Sequence, residues 1–274
     1  MFRRFLISAL SAALFSLVSV NVTAEDDSPK VLASMHPLGL IAASVVEREN
    51  LHILLQKGVS PHDFSLRPSD IDHLQEADII FWGGPHIEPY LSGFARRWPD
   101  KVWIDISSFS ELAKIKDPHY WMSVPATLAA QKVLADTLGK DSSDFQRRVE
   151  AAVEYSDRVL EPVRDRGFFV FHRAYDHWVL ERGLNQVGAF TLTPEQKPGM
   201  RTLQLMREQL RAGKVACVFR EPEYSPALVV TVVGDLPVKH GELDPQGAYA
   251  DLSRDGYAYF LTEMADRAAN CLTP

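Results

Sequence analysis

Short apolar runs alternate with helix-length amphipathic stretches along most of this chain. Residues 31–35, 51–55, 78–82 and 102–105 are four or five positions long and dominated by Val, Ile, Leu, Phe and Trp. Runs of that length and composition predict buried strands. An apolar helix is predicted over 38–47, and a second helix capped by Ser69, with Asp72 at its third position in a capping-box pattern. The second half repeats the scheme, with strands predicted over 168–171, 186–190, 215–219 and 236–238 and helices over 175–182, 201–212 and 257–269. Strands and helices that alternate at this spacing form a mainly parallel sheet covered on both faces.

Between the two halves the pattern changes. From 142 to 166 there is no glycine, and apolar residues recur at Phe145, Val149, Ala152, Val153, Val159, Leu160 and Val163. That recurrence is helical, and about 24 residues would span roughly 36 Å. Pro162 is placed to kink or shorten the helix near its C-terminal end. The fold expected is therefore α/β, with two lobes of mainly parallel sheet bridged by one long helix: an N-terminal lobe over 25–141, the linking helix over 142–166 and a C-terminal lobe over 167–274.

The first 24 residues read differently. Arg3 and Arg4 precede an apolar run from Phe5 to about Val20, small residues close it at Val22-Thr23-Ala24, and the chain turns acidic at Glu25-Asp26-Asp27. This is the layout of a secretory signal peptide, and the run falls short of the ~20 apolar residues that span a bilayer. Cleavage after Ala24 leaves 250 of 274 residues and takes the formal charge from −7 to −9. An acidic chain without a basic run makes nucleic acid an unsuitable partner. No cysteine stands directly after the cleavage site, so the expectation is a soluble exported protein without a lipid anchor.

Export also governs the reading of the two cysteines, Cys217 and Cys271. In an oxidising compartment an even pair predicts one disulfide. A thiolate metal pair or two free thiols are the alternatives, and the wide spacing argues against both.

Ligands of open α/β sheets gather beyond the C-terminal ends of strands. Three histidines stand in such loops: His62 after the second strand, His119 just ahead of a helix, and His172 directly after the run 168–171. Asp244 occupies a comparable loop in Gly241-Glu242-Leu243-Asp244-Pro245. A lone histidine near apolar residues is usually a hydrogen-bonded core or surface side chain, and no local zinc-finger or His-Glu-x-x-His spacing occurs. A site would have to be assembled from distant loops. Neutral imidazoles with one carboxylate can enclose a borderline cation tetrahedrally.

The motifs sharpen this picture. Pro61-His62-Asp63-Phe64-Ser65-Leu66-Arg67-Pro68-Ser69-Asp70 closely resembles the first metal-binding motif of the periplasmic zinc-binding components of ABC importers, the ZnuA type. The likeness continues through Leu74-Gln75-Glu76-Ala77-Asp78 and Gly84-Pro85. His119-Tyr120-Trp121-Met122-Ser123 resembles the second motif and Phe169-Val170-Phe171-His172-Arg173-Ala174-Tyr175 the third. Further resemblance lies in Cys217-Val218-Phe219-Arg220-Glu221-Pro222, Leu243-Asp244-Pro245-Gln246-Gly247 and Ala268-Ala269-Asn270-Cys271-Leu272. It covers nearly all of the chain after Ala24, in order. It implies two lobes with a metal in the cleft, His62, His119 and His172 as ligands, and a Cys217–Cys271 disulfide. The fourth position varies in the family between carboxylate and water, which leaves Asp244 or a water there.

Two departures stand out. Zinc-type members often carry a His- and acid-rich loop ahead of the second motif, whereas Lys114-Ile115-Lys116-Asp117-Pro118 here runs straight into His119. Some relatives have a glutamate immediately before the first ligand histidine, where this chain has Pro61.

Three imidazoles favour Zn2+ over Mn2+, whose sites draw more on oxygen; Cu2+ and Ni2+ also suit imidazole, and Ca2+ and Mg2+ do not. The function implied is a monomeric periplasmic receptor that hands zinc to an ABC importer permease with its cytoplasmic ATPase. A metallochaperone or adhesin on the same scaffold is the alternative. A zinc hydrolase would need an open coordination position and a general base, for which Glu221 and Glu195 lie in loops. No hydrolase motif accompanies the histidines, so no enzyme is expected. Of the other histidines, His36 and His86 are expected near the cleft mouth in supporting roles. His177 is expected to be exposed or packed against a ring, and His52, His73 and His240 to be ordinary surface or strand residues.

Overall fold

The computed structural model describes residues 28–109, 115–191 and 198–274. The expected signal peptide, Lys114 and Glu195 lie outside the described residues. Strands β1 (Val31–Met35), β2 (Leu51–Leu55), β3 (Ile79–Trp82) and β4 (Val102–Asp105) alternate with helices α1 (His36–Ala42), α2 (Pro68–Glu76) and α3 (Ser92–Arg97), and α4 (Val124–Thr137) closes this half. Helix α5 (Ser143–Leu160) follows. Strands β5 (Phe168–His172), β6 (Gln186–Thr191), β7 (Cys217–Arg220) and β8 (Lys239–Glu242) then alternate with α6 (Asp176–Arg182), α7 (Met200–Arg211) and α8 (Ala227–Val233), and α9 (Gly256–Leu272) ends the chain.

Among the described residues the strands form two four-stranded sheets, ordered β2-β1-β3-β4 and β6-β5-β7-β8. Every pairing is parallel. The two orders are the same permutation, so in each sheet the order of strand addition reverses between the first and third strands. Such a switch point opens a crevice at the strands' C-terminal ends. In the second sheet β5 and β7 flank the switch; β5 ends at His172 and Glu221 follows β7 directly.

Central strands covered on both faces lose their alternation, and β1, β3 and β5 are buried at every position. Edge strand β8 is polar and partly exposed, beginning at Lys239 where the apolar triplet 236–238 predicted it three residues earlier. Helix α2 also departs from expectation. It starts at Pro68, whose missing N–H costs nothing in a first turn, and Asp70 rather than Asp72 reaches back, accepting a 2.7 Å bond from Arg67 N–H.

Helix α5 buries Phe145, Val149, Ala152, Ser156 and Leu160 along one stripe, facing α9. Burying Phe145, Val149 and Leu160 contributes roughly 1.5–3 kcal/mol each. The α-helix stops at Leu160 and tightens into a 3-10 turn at Glu161–Val163. Pro162 has no N–H to return to the carbonyl of Arg158, so regular helix cannot continue through it. The bridge is therefore 18 residues, about 27 Å long.

The pair Cys217–Cys271 forms a disulfide, with Cα atoms 5.9 Å apart, tying the start of β7 to the last turn of α9. Among the described residues no helix is long and apolar enough to cross a membrane.

Candidate metal centre

Three loops from different parts of the chain converge. His62 stands between β2 and α2, His119 between β4 and α4, and His172 closes β5. Nε2 of His62 and Nε2 of His172 each lie 3.3 Å from Nε2 of His119. A tetrahedral zinc with Zn–N bonds of ~2.0–2.1 Å needs its nitrogens about 3.3–3.4 Å apart. The ligand atoms of this trio all lie within 4.8 Å of one another, and no other group of three His, Cys, Asp or Glu side chains meets that test among the described residues. Two edges of the trio match that separation, and the three side chains could hold a metal ion.

Two buried carboxylates set its orientation. Asp117 Oδ1 lies 2.5 Å from His119 Nδ1, and Glu221 holds His172 Nδ1 at 2.7 and 2.8 Å. A carboxylate accepts rather than donates, so each ring carries its proton on Nδ1 and turns the Nε2 lone pair to the centre. Asp117 also accepts the backbone N–H groups of His119 and Asp176. Burial alone would raise its pKa, but the His119 ring and these bonds outweigh burial and hold the carboxyl below the usual range. Glu221 further accepts from Tyr175 Oη at 3.2 Å.

His119 and His172 are buried, at 1% and 2% exposure, and His62 is half-buried on the outer side. Burial first, then the His119 and His172 rings, push the His62 pKa down to about 3. A proton is thus kept off a nitrogen that a metal would need.

A family model described as zinc-uptake complex component A, periplasmic (ZnuA), matches residues 31–271. The chain belongs to the ZnuA family. The high-affinity zinc uptake system protein ZnuA of Yersinia pestis is 31% identical, over 89% of this chain and 92% of that protein. The Haemophilus influenzae protein of the same name is 30% identical, over 97% and 98%. Among solved structures, the laminin-binding protein Lmb of Streptococcus agalactiae, described as bifunctional with adhesin and metal-transporting activity, superposes with a TM-score of 0.77. At 22% identity, covering 89% of this chain and all of the other, that likeness shows a shared fold.

Against this ZnuA frame, Asp244 lies outside the three-nitrogen group. It is buried, and its oxygens accept the N–H groups of Gln246 at 2.8 Å and Ala248 at 2.5 Å. Burial, and then the nearby charge of Glu221, raise its pKa against those backbone bonds.

His36 is buried with Nε2 3.1 Å from the carbonyls of Gly247 and Ala250, so it pins the loop after Asp244 and takes no place among the three ring nitrogens. His86 is exposed. His177 is wholly buried, its Nε2 2.9 Å from the Asp117 carbonyl and its ring packed on Tyr120, so the ring-packed expectation holds and the exposed one does not. His52 and His73 stack on each other at 4.0 Å, away from the site.

Asp117 and Glu221 were not predicted as orienting groups. The signal for Asp117 was its place two residues before His119, close enough for the carboxylate to reach both the backbone N–H and the ring of that histidine. Glu221 follows a strand adjacent to the one ending in His172, which is visible only once β5 and β7 are known to pair.

Proposed function

We propose that this chain is a receptor that captures Zn2+ in the periplasm and delivers it to the permease of an ABC importer driven by a cytoplasmic ATPase. His62, His119 and His172 are the zinc ligands, and Asp244 or a water completes the shell. The observation that carries this reading is the convergence of three ring nitrogens within 4.8 Å, two of them 3.3 Å from the third, the separation of corners in a zinc tetrahedron. Membership of the ZnuA family and the zinc-uptake names of the Yersinia pestis and Haemophilus influenzae relatives support zinc as cargo and an importer as recipient.

In this reading residues 1–24 are removed on export, 25–141 and 167–274 form the two metal-binding lobes, and the protein works as a monomer. It is not an enzyme. Glu221, the described carboxylate weighed above as a general base, is engaged by His172 and Tyr175. Cu2+ and Ni2+ suit the same imidazoles, and Mn2+ suits them less.

Zinc titration into the purified, metal-stripped chain is the test. One tightly bound zinc per chain is expected, with Ala substitution at His62, His119 or His172 weakening binding sharply while the fold is kept. Undiminished affinity in all three variants would end the proposal. Zinc-limited growth of a strain lacking the gene tests delivery.

A further inference from the structure

Helix α6 begins just after His172 closes β5, and it lies against the segment that carries His119. Three of its groups grip that segment. The backbone N–H of Asp176 donates to Asp117 Oδ2, and His177 Nε2 lies 2.9 Å from the Asp117 carbonyl oxygen. One turn further on, Glu181 accepts the N–H of Val124, the first residue of α4. The His177 ring also packs on Tyr120, the residue next to His119.

A carbonyl only accepts, so the His177 proton sits on Nε2 and the lone pair on Nδ1. That is the opposite tautomer to the one the carboxylates impose on His119 and His172. The side chain is wholly buried, yet Nδ1 has no hydrogen-bond partner among the described residues. Leaving a buried acceptor unpaired costs stability, so an apolar ring would serve a purely packing role better. An apolar ring could not hold the Asp117 carbonyl.

Every polar oxygen of Asp117 is engaged. Oδ1 takes the ring and backbone N–H of His119, Oδ2 takes the N–H of Asp176, and the carbonyl takes His177. Of the two donors that α6 gives to Asp117, one is backbone and His177 is the side chain. Where the carboxylate meets the His119 ring depends on where its own backbone is held.

We propose that His177 is a positioning residue of the metal centre: its donated hydrogen bond fixes the backbone of Asp117 and, through it, the ring of His119. The proposal rests on the three-histidine reading above and deepens it. It also joins two ligands mechanically, because the helix that supplies His177 grows from the strand that ends in His172.

The test compares His177→Phe and His177→Gln with the parent chain. Phenylalanine keeps a ring against Tyr120 and donates nothing, whereas the glutamine amide reaches the place of Nε2 and restores a donor. Proton–nitrogen NMR signals of the histidine rings are recorded in the metal-free protein, and zinc affinity is measured by competition against a chromophoric chelator. In His177→Phe the His119 Nδ1–H signal is expected to move while that of His172 stays in place. Zinc binding is expected to weaken about threefold to tenfold, less than for loss of a group that touches a ligand directly. His177→Gln is expected to bring both readouts back towards the parent. An unmoved His119 signal in His177→Phe would overturn the proposal, as would a glutamine variant as impaired as the phenylalanine one. A phenylalanine variant that fails to fold would overturn it too, since His177 would then serve the fold. The ring signal is read without metal and judges His177 by itself; His119→Ala, run alongside with zinc, judges the tripod, which fails if that variant binds normally.

Discussion

Asp117 Oδ1 sits 2.5 Å from Nδ1 of His119, and both residues are buried. The carboxylate fixes the ring's tautomer and angle and makes Nε2 a stronger donor to a metal. Asp117→Asn keeps the shape and removes the charge. It should weaken zinc binding about 10–100-fold with the fold intact. Chelator competition would measure this, and a variant that binds as tightly as the parent would show that the carboxylate is only structural.

His62 should behave unlike an ordinary histidine in the metal-free protein. Its pKa is pushed down to about 3, by burial first and then by the His119 and His172 rings, from an ordinary value of 6.5. The unfolded chain therefore takes up this proton before the folded chain does, and between about 6.5 and about 3 acid favours unfolding. The group's contribution to stability is lost as pH falls through that window. From ordinary histidines the sequence suggests binding that fails below about pH 6; for His62 the proton competes only at much lower pH. An NMR titration of the His62 ring should show it neutral from pH 7 down to pH 4, and a midpoint near 6 would refute this.

Glu88 gives the opposite sign. It is fully buried, accepts from Ser34 Oγ, Gly83 N–H and Tyr90 Oη, and is raised by burial to about 7 from an ordinary 4.5. Its protonated form favours the fold, so its contribution is complete below about 4.5 and is lost as pH rises through about 7. Glu88→Gln should therefore melt higher relative to the parent at pH 8 than at pH 5. Equal differences at both pH values would count against a buried, raised carboxyl.

Replacing both Cys217 and Cys271 with Ser should cost stability and spare the site. The bond closes a loop across 54 positions, worth roughly 4 kcal/mol on the chain-entropy model. It anchors the start of β7, whereas Glu221 lies beyond that strand's other end. Urea unfolding should show a loss of about 2–4 kcal/mol, with zinc affinity within a factor of about two of the parent; a large loss of affinity would link the disulfide to the site.

What the sequence discloses and what it hides divide along physical lines. The run 31–35 is legible because a strand buried on both faces is largely apolar, and the observed β1 keeps those bounds; β4 also keeps 102–105, although as an edge strand it buries only Ile104. Helix α8 is hidden because Ala227–Val233 holds four valines and a threonine in seven residues, a β-branched composition of low helix propensity; burial of Val229, Val232 and Val233 overrides it. The three histidines are found through motifs, each beside a strand end or ahead of a helix. Their orienting partners are harder. Glu221 meets His172 across 49 positions, a contact that depends on strand order and leaves no local pattern.

The hydrogen bonds that cross between the halves constrain how cargo can leave. Trp121 Nε1 donates to the Pro245 carbonyl, Tyr257 Oη donates to the Trp121 carbonyl, and the backbone of Val124 donates to Glu181. With the His36 contacts to Gly247 and Ala250, these stitches join the two halves, and parting the sheets like a hinged shell would break them together. His62 carries none of these bonds and is the least enclosed of the three. Of the three rings, it is therefore the one whose release would disturb the fewest contacts between the halves.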